Sequence, residues 1–365
     1  MKIVYFTHSL RSCWNHGNAH FVRGVVRALV ALGHDVDVVE PEDGWSLTQL
    51  KNDRGEEALG KFFRAFPDLN SQFYRPAEIE AIVDGADVVI AHEWTERDVL
   101  ASLGSLRRRG STFRLLFHDT HHRAVSDPTS IERELLQDFD AVLAFGESLS
   151  DVYRGWGFTA FTWHEAADTS HFYPRHSLHR EGVVWIGNWG DGERTEELET
   201  YLFRPVQEEN LPLTIRGVRY PENARARLRE IGAHYGGWIA NVDAPDLFAH
   251  HLMTVHVPRR FYVENLPGIP TIRMFEALAC GIPLVSAAWP DEERLFRKGD
   301  YLIAHSGDEM RRHLRALKQD AGLRNELAER GRATILARHS CAHRAAELIA
   351  IVEDLDAPHT ERGAA

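Results

Sequence analysis

The stretch VVWIGNWG, residues 183–190, predicts a buried strand that runs into a glycine-containing loop. It restarts a pattern that the chain has already shown once. KIVYFTH (2–8) is the first strand signal, and the amphipathic segment 20–34 is the first helix. Further apolar, strand-like runs follow at 35–40, 86–93, 113–119 and 141–146. Apolar strands separated by helical segments predict a parallel sheet with helices on both faces.

The pattern after residue 183 predicts a second domain of the same kind. Four more strand signals are present, at 212–218, 237–242, 253–258 and 282–287, and a helical block covers 309–355. The polar segment 161–174 connects the two patterns. We therefore predict an α/β protein of two Rossmann-like, doubly wound parallel-sheet domains facing each other across a cleft, in which ligands bind at the carboxyl ends of the strands. The predicted boundaries are 1–168, 169–340 and 341–365, the last being a helix that crosses back and a loose tail.

Length and charge limit the possible functions. The chain has 365 residues, of which 44% are hydrophobic, which is enough for two cores. Forty-two basic residues stand against 54 acidic ones, so the net charge is −12. No long lysine or arginine tract is present. A nucleic-acid partner is therefore not expected, and an anionic ligand would need local arginines.

Cysteine use and hydropathy predict the compartment. The three cysteines, Cys13, Cys280 and Cys341, are odd in number and have no C-x-x-C spacing. That pattern fits a reducing environment and buried packing positions better than a disulfide framework or a zinc ribbon. No run of about eighteen apolar residues is present, so no integral membrane segment is expected. We expect a cytoplasmic protein.

Four segments carry a resemblance that covers nearly the whole chain. They are residues 1–41, EAADTSHFYP (165–174), VVWIGNWGDGER (183–194) and GIPTIRMFEALACGIPLVSA (268–287). The chain resembles a GT-B glycosyltransferase of the group-1 type, close to the spore-maturation CgeB-like branch. The resemblance implies transfer of a sugar from a nucleotide-sugar donor, bound by the C-terminal domain, to an unidentified carbohydrate, lipid or protein acceptor, bound by the N-terminal domain. It also implies that no metal or other cofactor takes part.

Glu276 is the first predicted donor contact. A carboxylate suits the vicinal hydroxyls of a ribose, and the resemblance gives Glu276 that role. An ion pair with Arg273 is the alternative. Many relatives carry a second glutamate eight positions earlier, where this chain has Gly268. The backbone from Gly268 to Thr271 would then offer its amides to the donor at the start of a helix.

The donor phosphates require nearby cations. Arg194 matches the basic residue that the family uses against the pyrophosphate, and Arg259 or Arg260 is the second candidate. A solvated surface position is the alternative for each. The glycine loop completes the predicted donor site with Gly187, Asn188 and Trp189.

The N-terminal domain offers HDTHHR, residues 118–123, directly after a strand. His118 and Asp119 are the predicted proton-transfer residues, together with Glu93 at the end of another strand. A metal site and a polar loop without a role are the alternatives. The predicted acceptor contacts are His8, Asn15, His16, Gly17, Asn18 and His121.

Other functions fit parts of the same pattern. A non-hydrolysing sugar-nucleotide epimerase has a similar fold and also uses carboxylates and histidines. A protein that binds nucleotide sugars without turnover would explain the missing glutamate. A metal-dependent hydrolase could be built on the HDTHH cluster.

Overall fold

The computed structural model describes residues 1–190 and 192–357. The first half of the chain forms a parallel sheet of seven strands in the order β3-β2-β1-β4-β5-β6-β7. In the central register, Val4 of β1 pairs with Asp37 on one side and with Val89 on the other. The strands are β1 Lys2–Phe6, β2 Asp35–Pro41, β3 Gln72–Tyr74, β4 Val88–His92, β5 Arg114–Asp119, β6 Ala141–Ala144 and β7 Ala160–Thr162.

The second half forms a parallel sheet of six strands in the order β10-β9-β8-β11-β12-β13. Val184 of β8 lies between Thr214 of β9 and Thr254 of β11. The predicted pair of doubly wound sheets is therefore confirmed. The strands are β8 Val183–Ile186, β9 Leu213–Arg216, β10 His234–Tyr235, β11 Met253–His256, β12 Leu284–Ala287 and β13 Leu302–Ala304.

Helices cover both sheets. In the first half they are α1 Ala19–Ala31, α2 Trp45–Arg54, α3 Leu59–Ala65, α4 Ile79–Ile82, α5 Arg97–Arg108, α6 Arg123–Ser126 and α7 Glu147–Gly155. In the second half they are α8 Thr195–Leu198, α9 Arg204–Glu208, α10 Glu222–Glu230, α11 Ala244–Ala249, α12 Arg260–Asn265, α13 Ile272–Ala279, α14 Gly307–Gln319, α15 Ala321–Arg338 and α16 Cys341–Asp356. A π-helical turn, Glu199–Phe203, joins α8 to α9.

Side-chain alternation along the strands builds a core on each face of the first sheet. Val4 and Phe6 of β1 point into one apolar cluster, whereas Ile3 and Tyr5 point into the other. All four side chains are buried because helices cover both faces. The carboxyl ends of the strands are thus the edge at which polar loops can gather.

Helix α16 packs on α1 of the first half. Cys341 at its start donates its backbone N–H to Ala167 O at 2.9 Å, and Trp163 Nε1 donates to Arg344 O at 2.8 Å. A Cβ atom on Gly24 of α1 would lie only 2.5 Å from Cys341 Sγ, so the close approach requires glycine there. This packing supports the predicted return of the last helix. The domain boundaries stay predictions, and residues 358–365, the predicted loose tail, lie outside the described residues.

Two element predictions need correction. In place of the predicted strand 237–242, residues 237–240 form a loop and a 3₁₀ turn begins at Asn241, where Trp238 Nε1 donates to Cys13 O at 3.3 Å and Asn241 N lies 3.3 Å from Cys13 Sγ. The short strands β3, β7, β10 and β13 were not predicted. The block 309–355 is helical, as predicted, and consists of three helices, since Asp320 caps the start of α15 by accepting from Leu323 N at 2.9 Å and α16 begins after Ser340.

Candidate active site

A cleft of about 690 Å³ lies between the two sheets. Loops that follow β1, β4 and β5 form one wall, and loops that follow β8, β9 and β11 form the other. Both sets of loops leave the carboxyl ends of parallel strands, which is where this class of fold binds ligands. The walls touch where Asn188 donates its side-chain amide to Asn15 Oδ1.

The two walls differ in charge. The lining includes five arginines, and all belong to the second half of the chain: Arg194, Arg216, Arg219, Arg259 and Arg273. Among the described lining residues from the first half, there is no arginine or lysine. The cleft therefore has a cationic wall that suits an anionic ligand, although the net charge of the chain is −12.

Arg194 is buried at the base of the cationic wall. Its guanidinium donates to Asn188 O at 2.7 Å and to Val257 O at 3.2 Å, and it lies 5.3 Å from the Trp185 ring centre. Burial lowers its pKa to about 10, with Arg259 adding to the effect. Its Nε has no hydrogen-bond partner among the described residues. Arg194 therefore stays cationic at neutral pH.

Arg259 and Arg260 point in different directions. Arg259 lines the cleft, with Nη1 3.6 Å from Glu193 Oε2 and 3.3 Å from His122 Nε2 on the opposite wall. Arg260 begins α12 and pairs with Glu197 at 2.8 Å outside the cleft. Of the two predicted alternatives, the structure places Arg259 at the site.

The glycine loop after β8 contributes mainly backbone atoms to the cleft lining. Gly187 lines the cleft, and a Cβ atom there would come 2.6 Å from the Trp185 ring. Asn188 is held by Val218 N, which donates to its Oδ1 at 2.9 Å. Trp189, predicted as a donor contact, instead packs in the second core with ring centres 5.5 Å from Tyr220 and 6.2 Å from Phe203. Its position gives the predicted stacking role no support.

Glu276 lies beneath the cleft surface with no exposed area. One carboxylate oxygen lies 2.7 Å from His20 Nδ1 on α1, and the other pairs with Arg273 one helical turn away. Burial alone would raise the pKa of Glu276, but Arg273 and His20 outweigh it, so the pKa is lowered. Arg273 lines the cleft in its place. The predicted ribose contact is therefore not available to Glu276 in this arrangement.

Of the two predicted donor contacts Gly268 and Thr271, only Thr271 lines the cleft. Gly268 has φ +90°, and its N–H donates to Pro290 O at 2.7 Å, so this amide is not free for a donor. Thr271 lines the cleft as the residue before α13, and its side chain makes no capping hydrogen bond. The first amides of α13 are therefore the backbone donors that face the cleft.

A row of histidine rings forms the opposite wall. Ring centres are 5.0 Å apart from His8 to His16, 6.1 Å from His16 to His92, and 5.4 Å from His92 to His118. Burial lowers the pKa of His8 to about 4 and the pKa of His118 to about 3. His118 has no exposed surface and lies 2.5 Å from the Tyr5 hydroxyl, so its position does not support the predicted catalytic role.

Glu93 is the acidic group of this wall. Thr120 Oγ1 donates to its Oε1 at 2.8 Å, and Arg123 lies 3.5 Å from its Oε2. Burial raises the pKa of Glu93, and the neighbouring Asp119 carboxylate raises it further. Asp119 is buried and accepts from Tyr153 OH at 2.6 Å, so it acts on the cleft through Glu93 and not by contact. A carboxylate with a raised pKa is suited to proton transfer near neutral pH.

The remaining predicted acceptor residues are all in the cleft lining: Asn15, Gly17, Asn18 and His121. Asn15 has φ +48°, and Asn18 donates to Glu165 Oε1 at 3.2 Å. Burial lowers the pKa of His121 to about 3. The histidines of this polar wall are therefore uncharged near neutral pH.

The sequence reasoning missed several lining residues. Glu165 is the most notable, since burial raises its pKa to about 8. Its position at the start of EAADTSHFYP was the available signal. Others are Trp45, Trp94 and Tyr262, which lie in segments without a distinctive motif. Within residues 1–190 and 192–357, no group of three or more histidine, cysteine, aspartate or glutamate side chains is arranged to hold a metal ion.

Comparisons with known proteins identify both halves. Residues 16–171 match the family described as Glycosyltransferase Family 4, and residues 194–350 match the family described as Glycosyl transferase-like. No curated protein sequence matches the chain.

Solved structures with the same fold cover nearly the whole chain. Anabaena HepE, solved with UDP and glucose, has a TM-score of 0.70 at 14% identity over 97% of this chain and 100% of its own. An alpha-glucosyltransferase solved with UDP and a 13-mer DNA gives 0.69 at 13% identity over 97% and 99%. Sucrose-phosphate synthase from Thermosynechococcus elongatus gives 0.65 at 16% identity over 98% and 99%. The fold is GT-B, and the chain is a glycosyltransferase.

Proposed function

We propose that the enzyme transfers a sugar from a nucleoside diphosphate sugar, bound on the cationic wall, to a hydroxyl of an acceptor bound on the histidine wall. One observation carries this proposal: five arginines line the second half of the cleft, and the described lining residues of the first half include no arginine or lysine. A pyrophosphate is the part of the donor that needs such a wall. The opposite wall, with its neutral histidines, suits an acceptor hydroxyl.

The donor phosphates would contact Arg259 and the first amides of α13, and the buried Arg194 guanidinium would add positive charge behind them. As the bond between the sugar and the diphosphate breaks, negative charge grows on the leaving phosphate. Fixed cations and a helix N-terminus stabilise that charge, which lowers the barrier. HepE and the alpha-glucosyltransferase were solved with UDP, so UDP is the first donor fragment to test.

Glu93 is the group we assign to the acceptor proton. It lines the cleft at the end of β4, where a hydroxyl opposite the arginines would be within reach. The neighbouring Asp119 raises its pKa, so that its carboxylate is a stronger base once it has lost its proton. Closure of the walls, which already touch at Asn15 and Asn188, would exclude water and favour transfer over hydrolysis.

The finer assignments form part of the same proposal. We place the enzyme in the CgeB-like branch on the strength of the four segments that carry the resemblance, with no metal or other cofactor and with a cytoplasmic location. No described helix is long and apolar enough to cross a membrane. One structural neighbour was solved with a 13-mer DNA, but the first-half residues that line this cleft include no arginine or lysine, and the nearby Arg123 already pairs with Glu93. We therefore keep nucleic acid outside the proposed partners.

Calorimetric titration of UDP into the purified protein tests the donor site. Arg259→Ala is expected to weaken UDP binding about tenfold, or about 1.4 kcal/mol. Arg260→Ala is the matched control, because it removes the adjacent arginine, whose ion pair with Glu197 lies outside the cleft. Equal affinities of both variants and the wild type for UDP would place the donor site elsewhere. If UDP does not bind the wild type, GDP and ADP are titrated next, and failure of all three refutes the proposal.

A further inference from the structure

Two tryptophan side chains are exposed at the acceptor wall. Trp45 is 47% exposed and Trp94 is 43% exposed. Every other tryptophan among the described residues is buried or partly buried. Both line the cleft. Their ring centres lie 6.3 Å and 6.2 Å from the His8 ring, so the three rings form one aromatic surface. Large aromatic side chains usually bury their faces, so exposure inside a substrate cleft points to a ligand.

Both rings are fixed in place. Trp45 begins α2 and lies edge-on to Trp14 at 5.2 Å, and Trp14 Nε1 donates to Asp53 at 3.2 Å. Trp94 has the Arg123 guanidinium 4.0 Å from its ring centre. Arg123 in turn donates to Glu93 O at 3.0 Å. A ring that is already held loses little conformational freedom when a ligand stacks on it.

The chemistry of this surface selects a neutral, ring-shaped ligand. An aromatic face is electron-rich, so it attracts the weakly positive C–H groups on one face of a sugar ring. The sugar hydroxyls can hydrogen-bond to the uncharged histidines and to Asn15. The nearest cation, Arg123, already pairs with Glu93, and the first-half residues that line the main cleft include no arginine or lysine for a phosphate group. We propose that the acceptor is a neutral saccharide whose ring stacks on Trp45 and Trp94 beside Glu93, an inference that rests on the proposed glycosyl transfer.

A second cavity leaves room for an acceptor longer than one ring. It has a volume of about 220 Å³ and shares Glu93 and Trp94 with the main cleft. Its two arginines, Arg97 and Arg123, pair with Glu132 and Glu93, and hydroxyl and apolar side chains complete its lining. A saccharide that is bound over Trp94 can therefore extend its next unit into this space. The acceptor is at least a disaccharide.

Saturation-transfer NMR with the UDP-loaded full-length protein tests this inference. Maltose, cellobiose and lactose serve as probes, glucose as the single-ring comparison, and a 13-mer single-stranded DNA as the anionic alternative. At least one disaccharide is expected to show saturation of its ring C–H protons, and more strongly than glucose. Trp45→Ala and Trp94→Ala are each expected to reduce that signal at least fivefold.

Phe63→Ala is the control, because Phe63 is 44% exposed on the same half of the chain but lines neither cavity. UDP affinity is measured for every variant, so that failure of the donor site is separated from failure of the acceptor surface. The inference is overturned if UDP binds normally but no disaccharide is saturated, if the tryptophan variants keep the full signal, or if the DNA alone binds at the tryptophans.

Discussion

Glu165 should make the stability of this enzyme depend on pH in a direction opposite to that of most paired carboxylates. The side chain is 7% exposed, and its single described hydrogen bond comes from Asn18 Nδ2. Burial raises its pKa from 4.5 to about 8. The folded protein therefore holds a proton that the unfolded chain releases above pH 4.5. The free energy of unfolding must then fall as the pH rises from 4.5 to about 8 and become level above that value.

The pKa difference corresponds to about 5 kcal/mol as an upper estimate. Glu165→Gln removes the titration but keeps the oxygen that accepts from Asn18. Urea unfolding of the wild type and the variant from pH 5 to pH 9 should show the variant gaining relative stability as the pH rises. Glu329→Gln, an exposed position on α15, controls for the loss of one charge. If the difference between Glu165→Gln and the wild type is the same at every pH, the burial argument is wrong.

Two further changes test how the halves are joined. Glu276→Ala should lower the free energy of unfolding by about 3 to 5 kcal/mol, because His20 would lose its buried partner. A double-mutant cycle with His20→Ala should show a coupling energy above about 1 kcal/mol. Additive effects of the two substitutions would contradict an interaction between these side chains. Gly268→Ala should cost more than the roughly 1 kcal/mol of a left-handed alanine, because its Cβ would lie 2.8 Å from Glu293 Oε1. Gly110→Ala, with φ +103° and no atom within 4 Å, measures the backbone cost alone in the same urea experiment.

Much of the fold was predictable because its signals are local. Apolar runs such as 86–93 become central strands with every residue of β4 buried, and the period of segment 20–34 becomes α1. The strand prediction failed at 237–242, where Trp238 and Asn241 form hydrogen bonds with Cys13 of the other half and not with a neighbouring strand. Short edge strands such as β3 were missed because three residues carry no readable period. Local sequence cannot show which distant segment completes a surface.

The sequence could predict site residues only where they directly follow the end of a strand. Loops after strands do reach the cleft, which is why Glu93, His121 and Arg194 lie there. Whether a side chain at such an end faces the cleft or the core depends on the neighbouring element. His118 turns under Trp163 with ring centres 4.7 Å apart, whereas Trp94 stays open. Both residues lie near strand ends, and only their three-dimensional neighbours distinguish the buried ring from the exposed one.

The position of Glu276 explains why a carboxylate stands on an otherwise apolar helix. Its oxygens are engaged by His20 from the first half of the chain and by Arg273 at the cleft. Direct contact with a ribose would require this buried pair to open, at a cost of several kcal/mol. Glu276 therefore holds Arg273 at the cationic wall, and its contact with His20 ties this wall to α1 of the opposite half.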